Sequence, residues 1–152
     1  MAYHYTESGL DNVWLENGYT IHETAYGTGV SIQDTEGLHR VIGRWIVSLA
    51  KPLNGAEVRF LRLEMDTTQK NLAAFLGVNE QAVRRWEKAR AKPVTNGSAD
   101  RLLRAIYIDY VDRRSDVYRM IKRLADLDQV DPSNGRFYET DKGWQQDGCA
   151  AA

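Results

Sequence analysis

Residues 67–88 read TTQKNLAAFLGVNEQAVRRWEK, and their apolar positions form two short helical stripes on either side of one glycine. Counted from Gln69, apolar side chains stand at the fourth, eighth, tenth, fifteenth and eighteenth places: Leu72, Leu76, Val78, Val83 and Trp86. Two helices packed across a tight turn need apolar residues at these places. They also need a small residue where the second helix crosses and a residue that tolerates a left-handed conformation in the turn. Ala73 and Gly77 meet those two needs.

The pattern differs elsewhere. In VWLENGYTIHET, Asn17-Gly18 lies between two alternating segments, which predicts a hairpin with a type I′ turn there. Tyr26-Gly27-Thr28-Gly29 predicts another turn before a short strand, VSIQD. Leu38, Val41, Ile42, Trp45, Ile46 and Leu49 then recur at helical spacing, so a helix is expected over about 35–50. Asp34 or Thr35 can cap it, and Lys51-Pro52 with Asn54-Gly55 ends it. Residues 56 to about 90 read as helical throughout. Ser98 is the expected cap of a helix through RLLRAIYIDYV, and a further helix is expected from about Asp116 to Leu127. From Val130 onward the chain is rich in turn residues, with an apolar island at Phe137, Tyr138 and Trp144. The expected class is α+β: a β-rich N-terminal domain over 1–54 with its connecting helix, an all-α domain over 55–130 with additional C-terminal helices, and a tail over 131–152.

Charge sharpens this division. The formal net charge of the 152 residues is −1, which by itself points to no partner. Residues 55–92, however, carry eight Lys/Arg against five Asp/Glu, whereas residues 1–54 carry three against six. The positive surplus coincides with the paired helices, where an electrostatic footprint for nucleic acid would be wanted. Cys149 is the single cysteine, so an internal disulfide and a cysteine-rich zinc site are excluded. The ending CAAA matches a prenylation box only superficially, having no polybasic run beside it. No apolar run approaches a membrane span and the N-terminus lacks the pattern of a signal peptide, so a cytoplasmic protein with no membrane contact is expected.

Over about residues 56–110 the chain resembles the Cro and lambda-repressor (XRE) helix-turn-helix family. The resemblance is carried by Leu61-Arg62, Thr68-Gln69, Leu72-Ala73, Leu76-Gly77-Val78 and Trp86-Glu87-Lys88. It implies that Glu87, ending the recognition helix, pairs with Arg62 of an earlier helix. The recognition helix is expected to start near Asn79, so that Glu80, Gln81, Arg84 and Arg85 occupy the part that enters the major groove. Gln can bond adenine bidentately and Arg guanine; by the resemblance Gln81 and Arg85 are the best base readers. Arg84 is open to a base or a phosphate, and Glu80 can only accept. Gln69, at a helix N-terminus, suits a phosphate, and Asn79, Lys88, Arg90 and Lys92 are expected to add backbone contacts that position without specifying. The plainer alternative makes Arg84, Arg85 and Lys88 a solvated face with i,i+3 or i,i+4 pairing.

The order of parts is also similar to the MqsA-type antitoxins, in which an N-terminal zinc domain grips a toxin and a C-terminal domain binds DNA as a dimer. The four cysteines of that family are absent, and His4, His22 and His39 are too scattered to replace them. No metal and no cofactor are therefore expected. The expected function is a sequence-specific regulator of transcription, a dimeric repressor on a palindromic operator in double-stranded DNA. The alternative is an antitoxin-like protein whose N-terminal domain binds a protein partner and which autoregulates its operon. Two C-terminal stripes bear on the homodimer: Leu102, Leu103, Ile106, Tyr107 and Tyr110 favour packing within the chain, while Val117, Ile121 and Leu124 suit either packing or a dimer interface. An enzyme is not expected, since no phosphate loop, histidine-based triad or metal-ligand cluster is present.

Overall fold

The computed structural model describes residues 2–113, 116–125 and 135–146. Among these residues the fold is mixed, with six α-helices and three small two-stranded antiparallel sheets. In chain order the N-terminal elements are β1 (Tyr3–His4), β2 (Trp14–Leu15), β3 (Tyr19–Thr24), β4 (Gly27–Ile32) and α1 (Thr35–Ser48). There follow α2 (Gly55–Glu64), α3 (Gln69–Leu76), α4 (Glu80–Ala89), α5 (Gly97–Val111), α6 (Asp116–Ala125), β5 (Phe137–Thr140) and β6 (Gly143–Gln146).

The hairpin expected at Asn17-Gly18 does not form. Of that pair only Gly18 takes a positive φ, at 78°, whereas a type I′ turn needs both residues there. Leu15 is instead drawn into the core and pairs with Tyr3, which joins β2 to β1. The hairpin lies one segment later, where six residue pairs link β3 and β4 around Ala25-Tyr26. Gly27 adopts φ 119° at its turn, and the Thr24 hydroxyl donates to the Gly27 carbonyl at 2.8 Å while accepting from the Tyr26 amide at 3.2 Å. The β5–β6 turn repeats this arrangement with Thr140, Lys142 and Gly143.

Local chemistry sets the helix starts. Asp34 caps α1, its carboxylate accepting from the Gly37 amide at 3.2 Å. Asn54 and Glu57 form a reciprocal capping box on α2. The cap of α5 is Asn96, not Ser98, which lies inside the helix; Asn96 accepts from the Ala99 amide at 3.1 Å. Residues 56–90 are not helical throughout, because breaks at Met65–Thr68 and Gly77–Asn79 divide them into three helices. The expected helix from Asp116 is observed to Ala125; its continuation to Leu127, and the Cys149 ending, lie outside the described residues.

One buried cluster runs across residue 54. Tyr5, Leu10, Val13, Leu15, Ile42 and Ile46 belong to the same core as Leu61, Leu72, Val83, Leu103, Ile106 and Tyr107. Polar contacts tie the α1–α2 connection to α5: Asp100 accepts from the Leu53 amide at 2.7 Å, and Arg104 donates to the carbonyls of Val47, Leu49 and Lys51. His39 of α1 bridges the N-terminal segment to α2, with the Tyr5 hydroxyl 2.8 Å from Nε2 and Glu64 3.1 Å from Nδ1. The first C-terminal stripe is used inside the chain, since Leu103, Ile106 and Tyr107 are buried. In α6 Val117 and Ile121 are half-buried, whereas Met120 and Leu124 are exposed. Among the described residues no helix is long and apolar enough to cross a membrane.

Candidate nucleic-acid interface

The residues between α3 and α4 take the conformation that their spacing demands. Thr68 caps α3 through the Asn71 amide, and Gly77 ends it in the left-handed region with φ 69° and ψ 29°. Asn79 then caps α4, its side-chain oxygen accepting from the Ala82 amide at 2.8 Å. Leu72, Ala73, Leu76 and Val83 are buried, and Val78 and Trp86 are half-buried against the same core.

What faces outward on α4 follows from helical periodicity. With Ala82, Val83 and Glu87 buried, Gln81, Arg84, Arg85 and Lys88 fall on one exposed stripe at three- and four-residue spacing. Arg84 is engaged by Glu80 at 2.7 Å, one turn earlier on the same helix. Among the described residues Arg85, Lys88 and Lys92 form no ion pair, so three cations stand free at this surface.

A buried pair beneath the stripe holds it in place. Arg62 Nε donates to Glu87 Oε2 at 2.7 Å and Nη2 donates to Oε1 at 2.9 Å, with Nη1 donating to the Thr67 carbonyl at 3.0 Å. The two side chains are only 11% and 6% exposed. Such a fork fixes orientation as well as distance, so α2, the α2–α3 connection and α4 are locked to one another. A second lock lies at the other end of α4. A methyl group on Gly55 would stand 1.7 Å from the Trp86 carbonyl oxygen, and the Ala56 amide donates to the Arg90 carbonyl at 3.0 Å. Glycine is therefore required where the start of α2 meets the end of α4.

The structure gives several expected contact residues another task. Gln69 donates its amide to Glu87 Oε1 at 3.1 Å, which makes it part of the buried pair's support. Asn79 commits its side-chain oxygen to capping. Arg90 reaches back to the Gly9 carbonyl at 3.3 Å. These engagements depend on partners 18 and 81 residues away for Gln69 and Arg90, so no local pattern signalled them. Neither the bridging place of His39 nor the burial of the Tyr107 hydroxyl follows from local spacing, which shows only a lone histidine and a member of an apolar stripe. In the fold Tyr107 packs on Gly43 of α1, where a methyl group would lie 1.9 Å from its hydroxyl, a contact that no local spacing signals. Among the described residues no group of three or more His, Cys, Asp or Glu is arranged to hold a metal ion. Comparison with protein-family models, with curated proteins and with solved structures returned no significant match.

Proposed function

We propose that the chain is a sequence-specific double-stranded DNA-binding regulator of transcription, acting as a dimeric repressor, with α3 and α4 as its helix-turn-helix. The observation that carries this reading is the exposed stripe of Gln81, Arg84, Arg85 and Lys88, braced from below by the buried Arg62–Glu87 pair. A rigid helix presenting amide and guanidinium groups at this spacing suits base edges in the major groove, and its free cations suit phosphates. Gln81 and Arg85 are the base readers in this reading, because neither is held by another side chain. Arg84 must leave Glu80 to reach DNA, so those two residues act together as a more weakly committed pair. Lys88 and Lys92 contact the phosphate backbone, while Gln69, Asn79 and Arg90 serve chiefly to hold the helices.

Fluorescence anisotropy tests this on the duplex just upstream of the chain's own gene, beside a scrambled duplex, at low and physiological salt. Tighter binding to the native duplex, weakened by salt but still selective, supports the reading. Equal or absent binding to both duplexes counts against it.

A second reading, binding of a protein partner through the N-terminal region, has one observation in its favour. The β3–β4 hairpin is exposed from Thr20 through Gly29, including Ile21 and Tyr26. A two-stranded hairpin has little stability alone, and a partner strand or surface would supply what the fold does not. Loss of a copurifying protein on replacing Ile21 and Tyr26 with serine would favour this reading; an unchanged set of copurifying proteins would count against it.

A further inference from the structure

Among the described residues β3 and β4 pair only with each other, so each strand keeps one edge without a neighbour. The Gln33 amide donates to the Gly18 carbonyl at 2.9 Å. Antiparallel bonding alternates from one residue pair to the next, so the bonded pairs above it are Thr20 with Ser31 and His22 with Gly29. The backbone N–H and C=O groups of Ile21 and Glu23 on β3, and of Thr28 and Val30 on β4, therefore point outward. Open edges in folded proteins are commonly blunted by lysine, proline or a bulge. Residues 19–32 contain no Lys, Arg or Pro, and the six pairs of the hairpin run without a bulge.

The two faces of the hairpin differ. Side chains alternate along a strand, so Tyr19, Ile21 and Glu23 share a face with their partners Ile32, Val30 and Thr28. Tyr19 and Ile32 are half-buried against the core at the base. Ile21 and Val30 carry this apolar face beyond the core, and Ile21 is exposed.

Charge selects what can cover that face. Residues 1–39 carry six carboxylates and no Lys or Arg. Glu7, Asp11, Glu16, Glu23, Asp34 and Glu36 are all exposed, and among the described residues none is in an ion pair. Glu23 stands on the apolar face itself, and Glu16 and Asp34 flank the hairpin along the chain. The hairpin of a second copy would bring like charges together, whereas a cationic segment is attracted.

We propose that the β3–β4 hairpin is a strand-addition site for an extended, Lys- or Arg-rich segment of a partner protein. The segment pairs its backbone with one open edge, sets alternate apolar side chains beside Ile21 and Val30, and places a cation against Glu23. This inference rests on the partner-binding reading given above and names the chemistry of the partner.

The test titrates the full chain with three short capped peptides. The first alternates lysine with valine, and the second has glutamate in place of lysine. The third is the first with its backbone nitrogens methylated, which removes the donors that a strand edge needs and keeps the charge. Binding is followed by calorimetry and by amide chemical shifts. The expected result is saturable binding of the lysine peptide with shifts confined to the hairpin and its base, and about tenfold weaker binding of each of the other two. Glu23→Lys and Ile21→Ser should each weaken the lysine peptide by about tenfold; both side chains are exposed, so both variants keep the fold. No saturable binding of the lysine peptide, equal binding of either control peptide, or binding unchanged in both variants would overturn the proposal. Self-association of the chain alone in sedimentation, abolished by Ile21→Ser, would also overturn it and give the face to a second copy. If a protein still copurifies through Ile21 and Tyr26 when the peptides fail, the partner-binding reading stands and the basic strand alone falls.

Discussion

The α2–α4 helices and the β3–β4 hairpin are both short segments with strong turn signals, yet they are held in different ways. The helices share a buried apolar core, a forked ion pair between α2 and α4, and a glycine-dependent contact at the junction of Gly55 with Trp86. The hairpin has six residue pairs of its own and the Thr24–Gly27 turn, but its central residues face solvent. Burial is therefore concentrated beneath α4, whereas the hairpin meets the core through Tyr19 and Ile32 at its base and exposes the residues from Thr20 through Gly29. A reading helix gains from the first arrangement, because its side chains must be aimed; a partner-binding hairpin tolerates the second.

The largest expected effect breaks the helical side of this contrast. Arg62→Ala leaves Glu87 buried without its cation, and should cost about 3–5 kcal/mol of stability in urea unfolding. A loss comparable to that of a surface substitution would mean that the pair does not lock the helices.

Next comes the pH dependence of Tyr107. An unfolded phenol loses its proton near pH 10, whereas the folded one, held neutral by burial, keeps it until about 12. The unfolded state alone therefore gains by deprotonation in that window. The Tyr107 contribution to stability is complete below pH 10, falls as pH rises toward 12 by up to about 1.4 kcal/mol per pH unit, and is flat beyond. Subtracting the profile of Tyr107→Phe from that of the parent, by chemical denaturation at each pH, isolates this slope; parallel profiles would show that the phenol titrates alike in both states.

A smaller effect separates fold from function on α4 itself. Arg85→Ala should weaken binding to the cognate duplex by about 1–3 kcal/mol and relax preference at one base position, while stability changes by less than about 0.5 kcal/mol. Arg84→Ala should lose less, since Glu80 competes for that guanidinium in the free protein. Equal losses for the two variants would remove the distinction drawn between them.

The smallest effect sharpens the hairpin side. Ile21→Ala should shift stability by less than about 0.5 kcal/mol, because its side chain is 54% exposed. A cost near that of a core residue would place the hairpin in the cooperative unit and erase the contrast.

The spacing of Leu72, Ala73, Leu76, Gly77, Val78, Val83 and Trp86 was enough to place two helices and their turn, and with them the exposed position of Gln81, Arg84, Arg85 and Lys88. Helical periodicity and the sterics of a left-handed turn act over a few residues, so they are written locally in the chain. The cap of α1 was legible to within one residue, Asp34 or Thr35, for the same reason, and the Arg62–Glu87 pair was expected from the family resemblance. Tertiary structure decided the rest, wherever one group had several possible partners. Asn17-Gly18 carried a strong hairpin signal, but burial of Leu15 and its pairing with Tyr3 directed β2 to another strand. Gln69 was suited to a phosphate by its place on α3, yet Glu87 lay within reach of its amide. Tyr107 belonged to an apolar stripe by spacing, and only the approach of Gly43 sealed its hydroxyl. In each case the outcome depended on which distant group the folded chain holds at hydrogen-bonding or van der Waals distance, and a one-dimensional pattern carries no record of that.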